Sequence, residues 1–291
     1  MIIDARVRPP YKSFNKVLAL PKDAPPRVLP HPLRAGYTEI PSVSKNSMDL
    51  FWEEWKEAGI DKAILVGRKC AQRQIENEDV AELRDLHPDK FVGAMAGIDA
   101  AFTDIVGTLK EVDRLIKDMK FNGIVMDPGW CVPARYVDDR RLYPIYARCA
   151  ELGCVLYLTM SLMQNPGDIS YASPERVHRV ATDFPKLQIL VVHHAFPFSN
   201  EMIGIMVNNA GLGNIWVLAD FFMSLPGIPC HRDWVEAANN YMVHKRMVFG
   251  TAFPVRPLKM AIDQFRALGF NDDVMEDIMF KNAAELFKLE L

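Results

Sequence analysis

Eight short apolar runs recur along the 291-residue chain at nearly even spacing, and few folds accept that rhythm. The runs begin at Ile2 (IIDARV), Asp61 (DKAILVG), Phe91 (FVGAMAG), Asn122 (NGIVMD), Cys154 (CVLYLTM), Leu187 (LQILVVHH), Asn214 (NIWVLAD) and Arg246 (RMVFGT). Their starts lie 59, 30, 31, 32, 33, 27 and 32 residues apart. A parallel βα unit takes about 30 residues, because the chain must return as a crossover before the next strand can pair. Consecutive right-handed crossovers of this length predict eight strands closed into a (β/α)8 TIM barrel, one domain over residues 1–291. A doubly wound sheet is the rival, but no G-x-G-x-x-G follows strand one to favour a dinucleotide fold. The first interval equals one unit plus an insertion. Eight of the 20 prolines fall between Pro9 and Pro41, which predicts a long irregular loop after strand one. Loops after barrel strands line the active face.

Helix signals fill the intervals. Ser47 is placed to cap MDLFWEEWKEAG, with Gly59 stopping it. Asp138 or Asp139 precedes LYPIYARCAELG, Ser173-Pro174-Glu175 opens the next helix, and DDVMEDIMFKNAAELFKL forms a terminal one. The formal charge of −3 provides no electrostatic footprint for nucleic acid or an anionic membrane. No run of about 18 apolar residues predicts a membrane span, and the amino terminus lacks a secretory pattern, so a cytoplasmic protein is expected. Cys70, Cys131, Cys149, Cys154 and Cys230 are odd in number and contain no C-x-x-C, which argues for buried reduced thiols.

IIDARVRP, EAGIDKAILVG, NEDVAELRDLHPDKFVG, ELGCVLYLTM, FPKLQILVVHHA, RMVFGTAFP and IMFKNAAELF follow one another in an order that resembles the amidohydrolase-related proteins of the aminocarboxymuconate-semialdehyde decarboxylase type. The resemblance runs from Met1 to Leu291 and implies a metal-dependent (β/α)8 barrel. It also implies a D-x-H-x-H first strand, yet the matching positions here are Arg6 and Arg8, which have no lone pair to offer a metal. The strand-five histidine falls on Leu158 and the strand-eight aspartate on Ala252, leaving His193 of the usual ligands. Two unit charges about 4 Å apart at an effective dielectric near 20 repel by about 4 kcal/mol, so two arginines and a dication are incompatible neighbours. No metal or other cofactor is expected.

Alternation along strand one puts Asp4, Arg6 and Arg8 on one face, and two guanidinium forks at the barrel mouth suit a carboxylate or phosphate. Arg68 and Arg256, after strands two and eight, are candidates to join them. Each arginine has an alternative: pairing with an interior acid such as Asp4, Asp127 or Asp220. Only one of His193 and His194 can enter the mouth, and the resemblance selects His193 as the candidate acid–base group. Asp127 and Asp220, ending strands four and seven, are candidates to orient it or to act as bases. Thr159 and Thr251 end strands five and eight as hydrogen-bond donors, and Trp130, Arg135 and Tyr136 are placed to wall a ligand. His31, His231 and His244 read as surface or packing residues. The leading expectation is a metal-independent hydrolase of a small carboxylated lactone or ester, held by Arg6 and Arg8 with His193 moving protons. A decarboxylase or hydro-lyase of a small organic acid and a non-catalytic metabolite-binding barrel are the alternatives. The family often forms homodimers, and a second copy is the one protein partner the resemblance suggests.

Overall fold

The structure, a computed structural model, describes residues 1–17, 39–71, 73–161 and 167–290. Residues 18–38, which carry most of the proline-rich insertion and His31, lie outside it. Eight parallel strands follow in chain order around one sheet: β1 (Ile3–Val7), β2 (Lys62–Val66), β3 (Phe91–Gly97), β4 (Gly123–Met126), β5 (Val155–Thr159), β6 (Gln188–Val192), β7 (Ile215–Ala219) and β8 (Met247–Phe249). Each predicted run holds its strand, and the protein is the expected TIM barrel. Ser47 caps the helix Met48–Ala58 by accepting from the Leu50 amide, and Gly59 ends it at φ +70°. The helix Tyr143–Leu152 instead begins after Leu142; Asp139 accepts from the Arg141 amide at 2.9 Å, so its side chain serves the preceding turn. No helix among the described residues is long and apolar enough to cross a membrane.

Two apolar layers separate cleanly. Ile64, Val125, Tyr157, Leu190 and Leu218 pack inside the barrel, where Ala283, Leu286 and Phe287 of the last helix join them. Leu65, Ile124, Leu156, Leu158 and Val217 face outward to the helices. Leu158 therefore points away from the mouth, and the inward positions on β5 are Tyr157 and Thr159. The alignment that set Leu158 at a ligand position is corrected by one step of the pleat, although neither inward residue is an imidazole.

β1 needs a second correction. Asp4 pairs with Ala63 and Val7 with Leu65, three steps on one strand against two on the other. This bulge interrupts the alternation. Ile3 and Ala5 pack inside the barrel, Val7 packs outside, and Arg6 and Arg8 turn into the mouth. Asp4 faces the seam with β8 instead of sharing a face with the arginines. β8 is too short to pair fully with β1, and closure there rests on one bridge between Val7 and Phe253. The Asp4 carboxylate completes the seam, accepting from the Thr251 amide at 3.0 Å and from its hydroxyl at 2.5 Å.

Burial pushes the Asp4 carboxyl up to about 6, against the lowering pull of the Thr251 hydrogen bonds. A carboxyl raised in the folded state binds its proton more tightly there than in the unfolded chain. Its contribution to stability is therefore present below pH ~4 and lost as pH rises through about 6. The difference is of order 3 kcal/mol. Measured against Asp4→Asn, the wild-type protein should gain stability on acidification from pH 8 to pH 4; parallel stability curves would count against this account of the seam.

Candidate active site

Strand ends build the site. β6 stops at Val192, and the next three residues, His193, His194 and Ala195, hold φ of +60°, +40° and +57°. Side chains with a Cβ rarely adopt this region, at a cost of order 1 kcal/mol or more each. The strained turn, and not strand alternation, sends the two histidines apart. His194 goes outward against Trp234 and the Cys230 thiol, where burial pushes its imidazole down to about 3 and keeps it neutral. His193 goes into the mouth.

There His193 Nδ1 lies 2.8 Å from Asp220 Oδ1 at the end of β7. Arg6 Nη1 donates to Asp220 Oδ2 at 2.8 Å and lies 3.2 Å from His193 Nε2. The three side chains close a ring with one consistent proton assignment: Nδ1–H donates to the carboxylate, and Nε2 accepts from the guanidinium. Burial, with the Arg6 cation beside it, holds His193 below the ordinary imidazole range although Asp220 pulls the other way, so the ring is neutral at pH 7. Asp220 is fully buried, yet His193 and Arg6 more than offset that burial and keep its carboxyl below the ordinary range.

Arg8 is different. It is 8% exposed, and its guanidinium donates to two backbone carbonyls, Val66 O at 2.9 Å from Nε and Gly67 O at 3.2 Å from Nη2. Among the described residues no carboxylate lies within ion-pair distance of it. Burial, then the neighbouring cations Arg6 and Arg68, pushes it down to about 9. Arg68 pairs with Asp127 at 3.2 Å, which leaves Asp127 Oδ2 buried without a partner. Gly97 makes room for Arg68: a Cβ there would sit 2.6 Å from the Arg68 carbonyl carbon.

Trp130 stands over this edge of the mouth. Its ring lies 5.2 Å from the Arg68 guanidinium and 5.3 Å from that of Arg73, and its indole donates to Ser161 O at 2.8 Å. Arg73 was not singled out by sequence, nor was Tyr157. The Tyr157 hydroxyl is buried inside the barrel without a hydrogen-bond partner, and burial raises its phenol, so it stays a donor. Tyr157 had a legible signal, since alternation from Thr159 puts it on the same inward face.

The remaining candidates divide. Thr159 is buried at the end of β5, whereas Thr251 is taken up by Asp4. Arg256 donates to Gln264 on the helix Leu258–Arg266. Tyr136 stacks on Tyr171, and Arg135 lies over Phe102. His231 and His244 hydrogen-bond backbone carbonyls, as packing residues do. All five cysteines are buried free thiols.

A model of the amidohydrolase family matches residues 45–289. The chain belongs to the amidohydrolase family. Among solved structures it is similar to the uncharacterized TIM-barrel protein Bb4693 from Bordetella bronchiseptica, at 32% identity and a TM-score of 0.84, covering 99% of this chain and 98% of that one. More distant is a dihydroxybenzoic acid decarboxylase from Polaromonas sp. JS666 with bound manganese, at 17% identity and a TM-score of 0.68 over 99% and 96% of the two chains. The 4-oxalomesaconate hydratase LigJ from Rhodopseudomonas palustris is 15% identical with a TM-score of 0.64 over 99% and 96%. At those identities the likeness shows the fold. No curated protein matches the sequence.

The described residues at the mouth of this amidohydrolase barrel do not make a ligand set for a divalent metal. Among the described residues no three His, Cys, Asp or Glu side chains come together to hold one. His193 and Asp220 are the nearest approach to a ligand set, and the Arg6 guanidinium already bonds both.

Proposed function

We propose that this amidohydrolase-family barrel is a lyase that binds a small organic acid through a carboxylate at Arg8 and removes carbon dioxide or water from it. The observation that carries the reading is the buried Arg8 guanidinium, which has two carbonyl acceptors and, among the described residues, no carboxylate of its own. A buried cation without a counter-charge is costly in the free protein, and a substrate anion supplies what is missing. Arg6 and Arg68 flank it, so negative charge developing on the substrate meets guanidinium groups already in place.

Proton handling falls to Asp127 and Tyr157. Among the described residues Asp127 Oδ2 and the Tyr157 hydroxyl have no hydrogen-bond partner, so one accepts and the other donates without breaking an existing bond. His193 Nε2 is covered by Arg6, so the imidazole is not free to activate water as the base of a hydrolysis. The decarboxylase and hydratase among the structural relatives support the same direction. The test is product analysis on a panel of aromatic and unsaturated aliphatic acids, lactones and esters. Products lighter by carbon dioxide or by water are expected. Opening of a lactone or cleavage of an ester into acid and alcohol would restore hydrolysis, and no turnover combined with ligand binding that needs Arg8 would leave a metabolite-binding barrel.

A further inference from the structure

We infer that Arg6 is this barrel's own cation, a guanidinium built into the place between His193 and Asp220 that a divalent metal would otherwise take. The inference concerns the same mouth as the lyase reading but rests on the geometry of three side chains, whatever the reaction.

Arg6 Nη1 meets Asp220 Oδ2 at 2.8 Å and His193 Nε2 at 3.2 Å, hydrogen-bond distances from the two atoms whose lone pairs would bind a metal. His193 and Asp220 are tied to each other at 2.8 Å through their remaining atoms, so the pair is held as a bidentate seat. The seat is filled by a side chain only 4% exposed and anchored on β1. A metal entering there would have to expel a buried guanidinium and would find two protein ligands. Of the other groups at the mouth, Arg8 and Arg68 are cations, Tyr157 and Thr159 offer no anionic or imidazole donor, and the further carboxylate, Asp127, is paired with Arg68 at 3.2 Å. Arg6 thus places a permanent positive charge beside the reacting groups and fixes the tautomer of His193, without a metal to load.

The inference predicts metal content. The full-length protein, equilibrated with Mn²⁺ or Zn²⁺ and then desalted, should retain far less than one ion per chain. Arg6→His replaces the guanidinium by a third ligand and should bind about one ion per chain, and adding Asp220→Asn should abolish that binding. Wild-type protein retaining a stoichiometric ion that Asp220→Asn removes would overturn the inference, as would a folded Arg6→His protein that takes up none. Should Arg6→His not fold, the wild-type melting midpoint decides: indifference to added Mn²⁺ and Zn²⁺ supports the inference, and a metal-dependent rise that His193→Ala removes overturns it. Neither result depends on turnover, so loss of this inference and loss of the lyase reading are separate findings.

Discussion

Arg8→Met is expected to weaken binding of the substrate carboxylate at least tenfold while leaving the melting midpoint unchanged or higher. The two halves of the result come from one fact. Arg8 is buried among cations, with Arg6 and Arg68 adding to the burial that depresses it, and its hydrogen bonds go to neutral carbonyls. A charge-assisted hydrogen bond to the ligand contributes about 1.5–3 kcal/mol, or roughly 10- to 150-fold in affinity. Replacing whole buried ion pairs with apolar side chains of similar volume is often neutral or stabilising by about 1–4 kcal/mol, and Arg8 is less well compensated than a paired charge. Release of the Val66 and Gly67 carbonyls works against that gain, so the expected rise is small. Calorimetric binding and thermal melts of the same sample check both halves. A marked loss of stability with binding preserved would make Arg8 a structural residue and remove the main support for an anion site. Weaker binding with stability unchanged or higher is the pattern of a residue kept for function at a cost in stability.

Asp220→Leu is expected to destabilise the fold by about 3–5 kcal/mol, because it strands Arg6 as a buried unpaired charge. Asp220 has no exposed surface, and it holds both Arg6 at 2.8 Å and His193 at 2.8 Å. The second variant in the cycle is Arg6→Met combined with Asp220→Leu, which removes both charges and should recover most of the lost stability. Denaturant unfolding of the two single variants, the double variant and the wild type measures the coupling. Additive effects would mean that the ion pair does not act as a unit, whatever its geometry. Arg68 and Asp127 provide an internal comparison: their 3.2 Å contact is longer and leaves one oxygen unsatisfied, so Asp127→Leu should cost less.

Much of the fold was legible in the sequence because its signals are local. A strand and its return helix occupy consecutive residues, so the spacing of apolar runs reports the barrel directly, and Ser47 and Gly59 mark a helix with their own side chains. Facing was less secure. On β5 a straightforward alternation, correctly phased, puts Tyr157 inward and Leu158 outward. On β1 no phasing would have succeeded, since the bulge between Asp4 and Val7 is a property of how β1 lies against β2. The family resemblance selected His193 for the mouth, and it is there, but a left-handed turn, not strand alternation, directs it.

What the sequence by itself determined is the architecture and the cast: eight βα units, arginines where metal ligands are expected, and acids at the ends of β4 and β7. Only the tertiary structure decided which arginine meets a carboxylate and which, among the described residues, meets carbonyls alone. Arg6 and Asp220 stand 214 residues apart in the chain, as far as β1 is from β7. Periodicity says that both reach the same end of the barrel. It says nothing about the few ångströms that separate an ion pair from a free cation, and electrostatic energy in a buried site is set at that scale.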